Sequence, residues 1–203
     1  GLRMEEMLSN IDDLRLRMGQ AATEKYVERA RALCDQMEAV APGSAEASYA
    51  RGRWHEARGE WELAEASMRK AVGVDPSFAA AWFHLGIDLQ ERAWAVRRLG
   101  PPLAIAPTGE TFPVLNLPPS TGEAATWHED SVRAFREVLA KSDPSIDTLT
   151  TLYARTVVAE ADLDASKVGD LYFDLLEEPG WIADRSFLQR AAIAVAHLPE
   201  ESA

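Results

Sequence analysis

Ala30, Cys34 and Pro42 are answered 34 positions later by Ala64, Met68 and Pro76, and Gly52 is answered by Gly86. A chain that returns small, apolar and helix-ending residues at one interval is restricted to stacked copies of a single unit. The unit itself is legible between Ala45 and Gly86. Gly52 and Ala64 let two helices cross closely, where larger side chains would hold the axes beyond about 8–10 Å. Gly59 suits a left-handed cap between them. Trp61, Ala64, Met68, Ala71 and Val72 then recur on one face of a helix. Asp75-Pro76 stops that helix, because the residue before proline is pushed out of the helical region.

Gly52, Gly59, Ala64, Ala71 and Pro76, followed by Trp82, Leu85 and Gly86 in the next copy, resemble the tetratricopeptide repeat, a 34-residue helix–turn–helix unit. Ser48, Arg51 and His55 depart from the larger residues that the family prefers there. The resemblance implies an all-α fold: an α-solenoid of three to four helical hairpins. Read as one domain over 1–203, the units are about 11–44, 45–78, 79–144 and 145–180, closed by a terminal helix over 181–198.

The regular spacing breaks at 99–125, a stretch that holds six of the eleven prolines and cannot be a helix. This is a Pro-rich insertion inside the third unit. Leu103–Ala106 and Phe112–Leu117 flank Pro107-Thr-Gly-Glu110, a pattern that folds back as a short ribbon, with Pro113 restricting it to an edge. Helix resumes at Trp127, with Thr126 and Glu129 as a capping box. Val132, Phe135, Val138 and Leu139 are its buried stripe, and Asp143-Pro144 its end. Leu149 to Ala161 and Val168 to Leu176 read as two further helices.

Lys and Arg number 21 against 33 Asp and Glu, a net charge of −12. Phosphates would be repelled, so neither nucleic acid nor an anionic membrane is the expected partner. Cys34 is the single cysteine, which leaves no intrachain disulfide and no thiolate metal cluster. No apolar run approaches the ~18 residues of a membrane span, and a cytoplasmic location is expected. No zinc-protease helix, phosphate-binding loop, nucleophile elbow or Cys-x-x-Cys occurs, so neither catalysis nor a cofactor is expected. His128-Glu129-Asp130 is the only polar cluster suggestive of a metal, and adjacent residues at a helix start point apart.

By the resemblance, the inner face of the solenoid is lined by Tyr49, Arg53 and Glu56 of the second unit and Phe83, Ile87 and Gln90 of the third. These six are the expected partner-binding residues. The groove they imply is apolar with acidic edges, suited to a peptide or helix carrying apolar anchors and basic flanks. The expected function is a non-catalytic protein–protein interaction scaffold. A bacterial secretion-type chaperone and a regulatory or substrate-presenting domain of a larger enzyme are the alternatives, and a homodimer through 99–125 is a further expectation. Trp54, off the main stripe, is either an exposed contact point or a packing residue.

Overall fold

The structure is a computed structural model describing residues 20–95, 103–105, 111–113, 122–141 and 148–162, with Lys167, Val168, Asp170, Leu171 and Asp174 in helical backbone. Among them are six α-helices: α1 (Gln20–Val40), α2 (Ala45–Glu56), α3 (Trp61–Val74), α4 (Ala79–Ala95), α5 (Glu123–Lys141) and α6 (Thr148–Ala161). A two-stranded ribbon, β1 (Leu103–Ile105) and β2 (Thr111–Pro113), lies between α4 and α5 in the chain. The fold is all-α in its packing. The chain divides into two compact units, Gly1–Arg92 and Ala93–Ala203, where the sequence suggests one domain.

In the first unit, Ser44 opens α2 from an extended conformation, its hydroxyl accepting the Ala47 N–H at 3.1 Å. That satisfies one of the donors every helix start leaves open. Gly59 closes the same helix at φ +71°, with the Glu60 N–H bonded to the His55 carbonyl and the Gly59 N–H to that of Glu56. This is the left-handed cap expected of it. Asp75 leaves α3 in an extended conformation, and its carboxylate accepts from the Ser77 N–H and hydroxyl. The Trp82 indole N–H donates to the Pro76 carbonyl at 3.0 Å, tying the loop to α4.

The expected face of α3 is buried through Ala64, Met68, Ala71 and Val72. Gly52 of α2 meets it so closely that a β-carbon there would lie 2.7 Å from the Met68 methyl. On the other side of α2, Val27, Ala30 and Cys34 of α1 form a core with Ala50. The Cys34 thiol donates to the Ala50 carbonyl at 3.3 Å, and burial pushes it up to about 11, as befits an inert core thiol. Trp54 packs here too: its indole N–H reaches the Val27 carbonyl at 3.0 Å, and Arg31, Arg51 and Arg58 lie 5.2–6.0 Å from its ring. Its role is packing.

Helix α1 runs unbroken from Gln20 to Val40, with Lys25 standing 34 positions before Gly59 and nothing in the helix that breaks it. One boundary differs from expectation. The helix after the insertion starts at Glu123, not Trp127. Gly122, at φ +81°, makes the turn, the Ala125 N–H bonds its carbonyl, and Glu123 suits the helix dipole, so Thr126 lies inside the helix rather than capping it.

In the second unit, Ala93–Ala203, the ribbon pairs Leu103 with Pro113, Ala104 with Phe112 and Ile105 with Thr111, antiparallel as expected. Helix α5 buries Val132, Phe135 and Val138. Phe135 meets Tyr153 of α6 edge-on at 5.5 Å, and Arg136 pairs with Asp162 at 2.6 Å. The Asp143-Pro144 stop and the terminal helix over 181–198 lie outside the described residues, as do the side chains on which a dimer through 99–125 would rest. Among the described residues no helix is long and apolar enough to cross a membrane.

Candidate functional site

The six expected partner-binding residues all fall in the first unit, on α2 and α4. Their accessibility is unequal. Tyr49 is only 6% exposed, its ring 5.0 Å from Phe78 and edge-on to His84 at 5.6 Å. Gln90 is 2% exposed. Phe83 and Ile87 are half-buried one turn apart on α4, and the Phe83 ring stands perpendicular to His84 at 5.4 Å.

Arg53 and Glu56 belong to an inner polar cluster, their side chains 14% and 13% exposed. The Arg53 Nε lies 3.2 Å from Glu56 Oε2, and its Nη1 approaches both ring nitrogens of His84. The His84 Nδ1 is 3.0 Å from Glu56 Oε1. The imidazole thus stands between the Arg53 guanidinium and the Glu56 carboxylate and links α4 to α2 at this point. Next to Glu56, from the following turn of α4, stands the fully buried Asp88. On α3, Glu65 takes ion pairs from Arg69 and from Arg92 of α4, and Arg92 also reaches Glu62.

The two neighbouring carboxyls are driven apart. Burial raises Glu56, but His84 and Arg53 outweigh it, and hydrogen bonds from His84 and Asp88 leave the group below its usual value. Burial, and then Glu56 beside it, push Asp88 up to about 10. Chemically the cluster can hold and move one proton. Among the described residues no group of three or more His, Cys, Asp or Glu is placed to hold a metal ion.

His84 and Asp88 escaped notice in the sequence, although a signal was there. Leu85, Asp88 and Leu89 share one face of α4, which puts an acid in a core stripe. Glu65 stands in the same way between Ala64 and Met68 on the buried face of α3. In the second unit, an open groove of about 390 Å³ is bordered by Leu139, Arg155, Asp162 and Lys167.

No protein-family model matches the chain, and no curated protein matches it.

Proposed function

We propose that this chain is a non-catalytic protein–protein interaction scaffold of the tetratricopeptide type, which holds a peptide or helical segment of a partner against α4. One observation carries the reading: α2 begins at Ala45 and α4 at Ala79, the 34-residue interval of the repeat, with the intervening turn and stop at Gly59 and Asp75-Pro76. A scaffold of this type binds through the first helix of each unit. Phe83 and Ile87 supply the apolar contact in the proposed site, while Arg53, Glu56, Tyr49 and Gln90 form the support beneath it. Such support holds the contact residues in place before the partner arrives, which reduces the entropic cost of binding. The net charge of −12 favours a partner with basic flanks around its apolar anchors.

The test uses short fluorescent peptides with two apolar anchors a helical turn apart and Lys or Arg at both ends. Anisotropy should show saturable binding by a subset of them, weakened by salt. The variant Phe83→Ala/Ile87→Ala should lose it, with an unchanged far-ultraviolet circular dichroism spectrum. Equal binding by the variant, or by peptides with Glu in place of the basic ends, would contradict the reading.

A further inference from the structure

Asp88 lies at the centre of the first unit with neither carboxyl oxygen in a hydrogen bond of standard geometry to a fixed donor. The charged and titratable groups around it come from three helices: Arg53 and Glu56 of α2, Glu65 of α3 with Glu62 and Arg69 at its rim, and His84 and Arg92 of α4. The cations are already committed, Arg53 to Glu56 and His84, Arg92 to Glu65 and Glu62. Glu56 is the group in reach that can use a proton from Asp88.

We propose that Asp88 is a proton latch: as a neutral carboxylic acid it donates to Glu56 and fastens α4 to α2, and loss of the proton releases the contact. With the proton in place, the Glu56 and Glu65 carboxylates are matched by the Arg53 and Arg92 guanidiniums, and Asp88 adds no charge. Without it, a third buried anion stands beside Glu56 with no cation of its own. Burial leaves the ionised form little solvent to turn to. The direction of the pH response follows. The folded-state value, about 10, lies above the 3.8 of a free aspartate, so between them the folded chain holds a proton that the unfolded chain has lost. The latch is therefore strongest at low pH and weakens as pH rises through that window. The latch does not depend on any partner.

Infrared spectroscopy of the full chain tests it first. At neutral pH the wild-type protein should show the C=O stretch of a protonated carboxylic acid, and Asp88→Asn should lack it. Asparagine keeps a donor toward Glu56 without needing a proton. The melting temperature of the wild type should therefore fall more steeply than that of Asp88→Asn between neutral pH and about pH 10. Amide exchange in α4 should accelerate over the same range in the wild type only. A wild-type spectrum with no protonated-acid band, a band that survives in Asp88→Asn, or parallel melting profiles would each overturn the latch. If Asp88→Asn does not fold, the absence of the band from the wild-type spectrum still overturns the latch, and its loss in Asp88→Ser assigns it.

Discussion

Glu56→Ala should destabilise the first unit more than any other single truncation on α2, by about 3 kcal/mol. Breaking a buried ion pair by removing one partner costs ~3–5 kcal/mol, and Arg53 keeps other contacts, which places this case at the lower end. Glu56 is the common charge partner of the cluster: Arg53 Nε lies 3.2 Å and His84 Nδ1 3.0 Å from its carboxylate oxygens, and the Asp88 carboxyl stands beside it. Alanine leaves those groups facing a void. Glu56→Gln keeps the shape and one acceptor and should lose about half as much. Its pH signature is opposite to that of Asp88. Glu56 is held below 4.5, so its stabilisation is present above that value and lost as pH falls through the lowered one. Urea unfolding monitored by circular dichroism measures both variants, and a loss below about 1 kcal/mol for Glu56→Ala would remove the cluster from the list of what holds α2 and α4 together.

Gly52→Leu is the second large effect. A β-carbon at position 52 would stand 2.7 Å from the Met68 methyl and 3.0 Å from its sulfur, and Met68 is fully buried. The far end of a methionine can swing aside. Gly52→Ala should therefore come out within about 1 kcal/mol of the wild type, its contact offset by the better helix propensity of alanine. Leucine adds a branched side chain where the two helices touch. The helices must separate, at a cost of about 1–3 kcal/mol or more. Met68→Ala in the same chain should restore part of the loss, since it empties the space the leucine needs. Thermal unfolding of the three variants tests the packing, and a Gly52→Leu melting temperature equal to that of the wild type would contradict it.

How far the sequence carried can be traced through these same residues. The helical pair α2 and α3 was legible because each boundary had a local cause: a positive-φ glycine at 59, a pre-proline aspartate at 75, an apolar face with a 3.6-residue period. The ribbon was legible for the same reason, from alternating apolar residues around a turn. The start of α5 was misread because Thr126 and Glu129 fit a cap by spacing alone, while Gly122 offered a backbone turn four residues earlier. The polar cluster was the least legible feature. Arg53 and Glu56 read as groove residues because their partners, His84 and Asp88, are 28 to 35 positions away, and charge pairing at that range depends on tertiary packing. Half of a site can be named from a pattern in this way while its chemistry stays out of sight.

Phe83 and Ile87 carry the proposed function, so the most direct measurement places a photo-reactive phenylalanine analogue at each in turn. Leu63 and Val74, exposed apolar residues of α3, serve as controls. Irradiation in the presence of an anisotropy-positive peptide should yield a one-to-one covalent adduct from positions 83 and 87 and none from 63 and 74. Adducts confined to 63 or 74, or no adduct at 83 and 87 at saturating peptide, would contradict the assignment of this face as the partner-binding surface.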